Sequence, residues 1–142
     1  MQLPDVNVLV YAFSPDSEFH EPSRRWLEEV VSCGAPFGMS EFVCSSVVRA
    51  ATNPHAQPSP AKVHDALSFV NGILGRDSCR RIRPGERHFE IFTDLCLRAN
   101  ARWNDVTDAY LATLAIESGC EWISYDRGFA RYPGLRWRRP LD

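Results

Sequence analysis

The chain has 142 residues, of which 44% are hydrophobic and 24% charged, and its formal net charge is −2. A chain of this size buries one ordinary hydrophobic core, so we expect a single domain over residues 1–142. No stretch approaches the roughly 20 apolar residues that cross a bilayer, and the N-terminus lacks the pattern of a secretion signal. These features argue against a membrane protein and predict a soluble, cytoplasmic one.

Short strands alternate with helices along the chain. Apolar residues three and four apart predict a helix, whereas a short apolar run between turn residues predicts a strand. Pro4 is unfavourable in the first strand, because a proline removes one hydrogen bond from a sheet. The expected elements are a strand at 1–6, helices at 8–11 and 26–31, a strand at 36–39, helices at 41–50 and 60–74, a strand at 81–83, helices at 86–101 and 107–116, and strands at 121–124 and 135–137.

This order of elements favours a parallel sheet with helices on both faces. The sequence therefore predicts an α/β fold with three layers, α/β/α, around a short-stranded and mainly parallel central sheet. Ser40 has the side chain to cap the helix that begins at Glu41, and Gly34, Gly75 and Gly119 end the helices before them.

The cysteines give no sign of a disulfide framework or a zinc site. They are odd in number and widely spread, and no two form a CxxC pair. We expect buried thiols, because free cysteine is among the most buried residue types. The five cysteines are Cys33, Cys44, Cys79, Cys96 and Cys120.

Arginine supplies nearly all of the positive charge, since Lys62 is the only lysine. The arginines gather at 76–87 and 127–139. The planar guanidinium suits phosphate and base stacking, which favours a polyanionic partner. A solvated surface of salt bridges is the alternative explanation, and composition leaves both open.

Four carboxylates, Asp5, Glu41, Asp108 and Asp126, stand where an apolar run gives way to a turn or a helix start. Two of them follow predicted strands, and two lie in the first turns of predicted helices. In an open α/β sheet these positions converge at the carboxyl ends of the strands. Glu41 and Asp108 alone could be helix-start residues and Asp126 a turn residue, whereas a carboxylate such as Asp5 at the end of a buried strand needs a partner or an ion. The prediction rests on the set.

Four carboxylates in one pocket repel one another and need a cation. A ligand set of oxygens alone favours Mg²⁺ or Mn²⁺ over zinc, and such sites usually act on phosphates. A nuclease and a phosphatase for small molecules both remain open at this point. The glycine-rich phosphate loops, the HExxH spacing and a serine-triad elbow are all absent from the sequence.

Four segments in order resemble the motifs of PIN-domain proteins, specifically the VapC toxins of bacterial toxin–antitoxin pairs. They open with Asp5-Val6-Asn7-Val8, Glu41-Phe42-Val43, Asp108-Ala109-Tyr110 and Ser124-Tyr125-Asp126-Arg127, and the ending through Trp137 is also similar. The resemblance covers essentially the whole chain. It implies a Mg²⁺-dependent endoribonuclease that arrests growth by cutting RNA and is held inactive by a VapB-type antitoxin.

The same resemblance implies roles for individual residues. Asp5, Glu41, Asp108 and Asp126 match the catalytic and metal-binding quartet, with Asp5 and Asp108 the main direct ligands, and Asn7 and Ser124 match polar positions that orient it. The arginines expected to hold RNA are Arg131, Arg136, Arg138 and Arg139, with Tyr132 and Trp137 as stacking or core residues. Family members commonly form homodimers, for which the apolar helix at 60–74 is a candidate surface.

Three positions depart from the family pattern: Pro4 in the first strand, Gly128 after the fourth motif, and a fifth carboxylate, Asp105, near the third. Asp105 is expected at the surface or beside the helix start, with a part in metal binding left open. Two other functions stay in view, namely a PIN-fold scaffold that has lost catalysis and a Mg²⁺-dependent phosphatase. The scaffold is disfavoured because all four acidic residues are present.

Overall fold

The computed structural model describes residues 1–142 and contains six α-helices, five short β-strands and one 3₁₀-helix. None of the helices is both long enough and apolar enough to cross a membrane. The elements are β1 (Gln2–Pro4), α1 (Val6–Phe13), α2 (His20–Ser32), β2 (Phe37–Met39), α3 (Glu41–Ala51), α4 (Val63–Leu74), β3 (Cys79–Arg81), α5 (His88–Arg98), α6 (Asn104–Ser118), β4 (Glu121–Ile123), the 3₁₀-helix (Arg127–Arg131) and β5 (Trp137–Arg138).

All strand pairs are parallel, with β4 between β1 and β5, and β2 beside β3. Helices cover this sheet on both faces, which confirms the predicted three-layer α/β/α fold. The core lies between the layers and is built from fully buried side chains such as Leu3, Leu9, Met39, Trp122 and Ile123. Burial of each such side chain contributes about 1.5–3 kcal/mol.

Pro4 explains why the hydrogen-bonded sheet is divided between β1 and β2. The Asp5 amide donates to the Ile123 carbonyl at 2.8 Å on the β4 side, so the preceding residue faces β2. Proline has no N–H to donate there. The two strands still pack closely, because a Cβ at Gly38 of β2 would lie 3.4 Å from Leu3 Cδ1 of β1. Pro4 therefore does cost the sheet a hydrogen bond, as predicted, and the missing bond lies between the β1–β4–β5 group of strands and the β2–β3 pair.

Helix α4 begins at Val63, three residues later than predicted. The Ala61 amide donates to the Ala51 carbonyl at the end of α3, at 2.9 Å. Lys62 is extended, with φ −70° and ψ 144°. This bond holds the segment against α3 and keeps the serine–proline start signal at 59–60 outside the helix. Strand β3 is likewise displaced, to Cys79–Arg81 instead of 81–83.

Helix α6 begins at Asn104, not at Thr107 as predicted. Asp105 Oδ2 accepts a hydrogen bond from the Arg102 amide at 3.2 Å, and the Asp105 amide donates to the Arg102 carbonyl at 2.9 Å. A tight turn therefore starts the helix one turn early. Asp105 occupies the first turn of α6, and Asp108 lies in the second.

The cysteines are all free, as predicted, but their burial is mixed. Cys44 and Cys120 are buried, and Cys79 and Cys96 are partly buried. The prediction of a buried thiol is wrong for Cys33, which is exposed because it lies just past the end of α2.

Candidate active site

The carboxyl ends of the parallel strands bring the predicted residues to one edge of the sheet. Asp5 follows β1 and is the N-cap of α1, while Asp126 follows β4 and is the N-cap of the 3₁₀-helix. Glu41 follows β2 and Ser40, whose Oγ accepts from the Val43 amide at 3.4 Å as predicted. Asp108 reaches the same edge from α6, whose buried residues anchor it in the core.

Asp5 is the most buried of these carboxylates, with 6% of its surface exposed. Its Oδ1 accepts from the Val6 amide at 2.7 Å. Its Oδ2 accepts from Ser124 Oγ at 2.6 Å and from Asn7 Nδ2 at 3.1 Å. An ionised carboxylate has about four acceptor positions, so Asp5 retains one on Oδ1 for a further ligand.

Ser124 joins the ends of β1 and β4 through a closed network of hydrogen bonds. Its Oγ accepts from Asn7 Nδ2 at 3.1 Å and from the Asp126 amide at 3.0 Å while it donates to Asp5. Asn7 Oδ1 accepts from the Tyr125 amide at 3.2 Å, which locks the amide orientation. The network fixes both Asp5 and the backbone that carries Asp126.

Asp5, Asp108 and Asp126 are close enough to affect one another electrostatically. Burial raises the pKa of Asp5 to about 6, and the charges of Asp108 and Asp126 add to that rise against the hydrogen bond from Ser124. Burial, followed by the charge of Asp126, also raises the pKa of Asp108. These three carboxylates therefore form a site in which added positive charge is favourable.

Arg131 is the cation that the chain itself supplies near this site. Its Nη2 donates to Asp105 Oδ1 at 2.8 Å and to Tyr132 Oη at 3.0 Å. The same nitrogen lies 3.8 Å from Asp108 Oδ2. The bond from Arg131 is the main cause of the lowered pKa of Asp105. Asp105, which the sequence left unplaced, thus holds an arginine beside Asp108.

Glu41 lies at the same sheet edge, but its carboxylate is paired with arginines of the β3 region. Oε1 accepts from Arg81 Nη1 at 2.6 Å and from Arg83 Nη2 at 2.8 Å. The hydrogen bond from Arg83 is the first cause of the lowered pKa of Glu41. The ring of Phe42, next in sequence, lies 5.6 Å from that of Tyr110, so the start of α3 lies beside the middle of α6.

The arginines expected to hold RNA make several contacts within the chain. Arg131 is engaged as above, and Arg136 donates to the carbonyl of Gly119. Arg138 pairs with Glu121 at 3.0 Å, and the Arg139 guanidinium lies 5.4 Å from the centre of the Tyr125 ring. The alternative explanation of a salt-bridged surface thus applies to part of this cluster, although Arg131 and Arg136 remain exposed.

Tyr132 and Trp137 are structural. Tyr132 is only 3% exposed and donates its hydroxyl to the Asp105 carbonyl at 3.0 Å. Trp137 is half-buried and donates Nε1 to the Ser124 carbonyl at 3.1 Å. The burial of Tyr132 excludes the stacking of RNA bases on its ring. The hydrogen bond from Trp137 holds the backbone at Ser124, just past the end of β4.

The carboxylates converge without forming a closed metal cage. No group of three acidic, histidine or cysteine side chains lies close enough together to hold an ion on its own. Mg²⁺ commonly keeps several waters and binds through one or two carboxylates, which suits this open arrangement. The donor chemistry of the site, oxygen atoms with raised proton affinity, fits a hard divalent cation.

Sequence reasoning missed the cationic partners of these carboxylates. Arg131 is 26 residues from Asp105, and Arg81 is 40 residues from Glu41. The arginine clusters at 76–87 and 127–139 were visible in the sequence, but their pairing with particular acidic residues depends on the fold.

Comparison with known protein families assigns the chain to one of them. The family model described as "PIN domain" matches residues 3–135. The chain therefore belongs to the PIN-domain family.

Curated relatives of nearly the same length narrow the assignment. The VapC ribonuclease Mb2897 of Mycobacterium bovis is 41% identical over 138 residues, which cover 97% of this chain and 94% of that protein. Ribonuclease VapC37 of Mycobacterium tuberculosis is 35% identical over 140 residues, covering 99% and 97%. Within the PIN-domain family, this chain is a member of the VapC group.

Solved structures agree on the fold. A chain from VapBC2 of Rickettsia felis, bound to a DNA fragment from its promoter, superposes with a TM-score of 0.71 and 16% identity over 97% of each chain. A chain from FitAB bound to a DNA fragment gives 0.69 and 16% identity over 100% of this chain and 96% of that one.

Proposed function

We propose that this protein is an endoribonuclease toxin that hydrolyses RNA phosphodiester bonds and thereby inhibits growth. The observation that carries the proposal is the convergence of Asp5, Asp108 and Asp126, with Asp5 held by Ser124 and Asn7 and its pKa raised to about 6. A carboxylate pocket that favours a cation at a sheet edge is suited to phosphate chemistry. Membership of the VapC group selects RNA among the possible phosphate substrates.

The proposed cofactor is Mg²⁺, with Mn²⁺ as the alternative. Asp5 and Asp108 would bind it directly, together with Asp126, and water would complete the coordination. When bound, such an ion lowers the pKa of a coordinated water and stabilises charge on the scissile phosphate. The raised pKa values of Asp5 and Asp108 support this assignment.

Each remaining residue of the acidic set has a proposed task. Asn7 and Ser124 hold Asp5 in orientation by donating to its Oδ2. Glu41 completes the catalytic quartet and orients the attacking water, since its carboxylate stays ionised beside Arg81 and Arg83. Its present pairing with these arginines favours this task over direct metal binding.

The arginines are proposed to hold the RNA backbone. Exposed guanidinium groups such as that of Arg136 would contact phosphates, so binding should weaken steeply as salt is added. Arg138 and Arg139 would share this task from the adjoining segment. Arg131, whose guanidinium is engaged by Asp105, would contribute its charge close to Asp108.

The proposed protein partner is a VapB-type antitoxin that acts in the cytoplasm. A basic side chain of the antitoxin inserted among Asp5, Asp108 and Asp126 would supply the charge that these carboxylates lack. We also propose a homodimer, for which the exposed residues Val63 and Leu67 on α4 offer an apolar surface. Sedimentation of the purified toxin with and without antitoxin tests both assemblies.

The central experiment compares cleavage by the native chain and by Asp5→Asn and Asp108→Asn in Mg²⁺, with single-stranded RNA, structured RNA and phosphate monoesters as substrates. We expect RNA cleavage to fall about a hundredfold or more in both variants. Asp77→Asn, an exposed acidic residue at the opposite end of β3, is the matched control. Undiminished cleavage by Asp5→Asn, or a preference for phosphate monoesters, would overturn the proposal.

A further inference from the structure

Trp103 is the most exposed large apolar residue of the chain, with 87% of its surface accessible. The other three tryptophans are much less exposed. Trp26 and Trp122 are 3% and 0% exposed, and Trp137 is half-buried in β5. An isolated exposed apolar side chain is ordinary, but a tryptophan left almost wholly in solvent gives up a large gain from burial.

The backbone at Trp103 is also unusual. Its φ of 52° and ψ of −117° match the first central position of a type II′ turn. The turn is closed by the Asp105 amide, which donates to the Arg102 carbonyl at 2.9 Å. Glycine usually fills this position, because a side chain at positive φ costs about 1–3 kcal/mol. Backbone strain and an exposed indole therefore coincide at Trp103.

The strained turn lies beside the acidic edge. Trp103 precedes Asp105 by two residues, and Asp105 shares Arg131 with Asp108. Helix α6 begins at Asn104, so Trp103 lies immediately before its first turn and Asp108 lies in its second turn. The exposed indole and the acidic residue therefore belong to the same end of α6, about 7.5 Å apart along the helix axis.

An acidic pocket by itself repels RNA, so a substrate needs attraction that does not depend on the pocket's charge. Stacking of a base on an aromatic ring supplies it, because every base has an apolar face. Arg102, next to Trp103, is exposed and adds a positive charge close to the turn. An exposed indole flanked by a guanidinium suits an unpaired base followed by its phosphate.

We propose that Trp103 is a stacking platform for an unpaired RNA base next to the scissile phosphate. The inference rests on the proposed ribonuclease function and adds to it a preference for single-stranded or looped RNA. Paired bases are stacked within a duplex and do not offer a free face to the indole.

The test measures binding separately from cleavage. Asp108→Asn serves as the background, and a labelled single-stranded oligoribonucleotide is titrated in Mg²⁺ with and without its annealed complement. We expect Trp103→Ala to weaken binding of the single strand about tenfold or more, and Trp103→Phe to retain most of the affinity. The dependence of affinity on salt should be unchanged, because no ionic contact is lost. Phe89→Ala, which removes another exposed aromatic at the far end of α5, is the matched control.

A Trp103→Gly variant separates binding from folding. Glycine relieves the positive φ, so the melting temperature should rise while affinity for the single strand falls. Equal RNA affinity of the Asp108→Asn protein with and without Trp103→Ala would overturn this inference and leave the ribonuclease proposal standing. So would a change confined to self-association, which would make Trp103 a protein contact. Failure of the Asp108→Asn background to bind RNA, together with absence of cleavage by the native chain, would overturn both proposals.

Discussion

Ser124 Oγ donates a 2.6 Å hydrogen bond to Asp5 Oδ2, and these two residues are 119 positions apart in the chain. The bond connects the ends of β1 and β4, which are adjacent parallel strands. It is a charge-assisted bond to a buried carboxylate, and such bonds are about twice as strong as neutral ones. The orientation of Asp5 is therefore set by a residue from the last third of the sequence.

Ser124→Ala should damage catalysis and stability together. The variant removes the donor to Asp5, leaves the Asp126 amide without its acceptor, and leaves Asn7 Nδ2 with Asp5 Oδ2 as its remaining acceptor. We expect a loss of about 1–3 kcal/mol in the free energy of unfolding, measured by urea denaturation. Cleavage should fall more than RNA affinity, because substrate contacts are retained. Ser118→Ala, which removes a hydroxyl bonded to the Leu114 carbonyl within its own helix, is the control and should change little.

The stability of the metal-free protein should depend on the ionisation of Asp5. Its pKa is about 6 in the folded chain, above the ordinary value of 3.8 for this side chain. A raised carboxyl pKa means that stability is fully present below the unfolded pKa and declines as the pH rises through the folded pKa. From this group alone, the free energy of unfolding should fall by about 3 kcal/mol as the pH rises from below 4 to above 6.

The comparison that isolates this effect is between native protein and Asp5→Asn, unfolded in urea with chelator across that pH range. The difference between the two should grow in favour of the variant as the pH rises, because asparagine does not ionise. The part of this free-energy difference that does not change with pH includes the altered hydrogen bonds with Ser124 and Asn7. That part carries no information on the ionisation of Asp5. A difference that stays flat with pH would contradict the raised pKa.

Much of the local structure was predictable because its causes are local. Ser40 caps α3 as expected, and Gly119 ends α6 with φ +69°, a conformation that glycine adopts without strain. The strand-to-helix junctions that carry Asp5 and Glu41 were found for the same reason. The predicted first residues of α4 and α6 were wrong. Hydrogen bonds of the flanking segments, which the sequence signals for a helix start do not include, set where these two helices begin.

The candidate site was predictable only as a set of acidic positions. Asp5, Asp108 and Asp126 do converge, but the neutralising partners come from remote segments that no spacing rule identifies. Arg131 reaches Asp105 from the 3₁₀-helix, and Arg81 reaches Glu41 from β3. Propensity also gives no reason to expect a tryptophan at a type II′ turn, because the position favours glycine.

Arg131→Gln should tighten Mg²⁺ binding. The Arg131 guanidinium lies 3.8 Å from Asp108 Oδ2 and competes with a metal ion for negative charge. At this distance a solvent-screened pair interacts by about 1 kcal/mol, which corresponds to a roughly fivefold change in affinity. Isothermal titration of Mg²⁺ measures the change, with Arg80→Gln as a control that alters an arginine bonded only to backbone carbonyls. Weaker Mg²⁺ binding by Arg131→Gln would show instead that Arg131 positions the carboxylates for the metal.

Glu41→Gln should lower the rate of RNA cleavage while leaving Mg²⁺ affinity close to that of the native chain. Glu41 Oε1 accepts hydrogen bonds from Arg81 and Arg83. Its carboxylate is therefore separate from the cluster that contains Asp5. Asp108→Asn, measured in the same Mg²⁺ titration, should lose far more affinity. Because the Glu41 pairs are exposed, their contribution to stability should be small and should shrink with added salt.

Arg83→Gln decides between two states of Glu41. If Glu41 orients water from its place beside the arginines, the loss of Arg83 should reduce cleavage and leave Mg²⁺ affinity unchanged. If Glu41 instead turns into the metal site when a cation is present, freeing it from Arg83 should tighten Mg²⁺ binding, and Glu41→Gln should weaken that binding as much as Asp108→Asn does. The second result would make all four carboxylates metal ligands, because the arginine pairing would then belong to the metal-free chain alone.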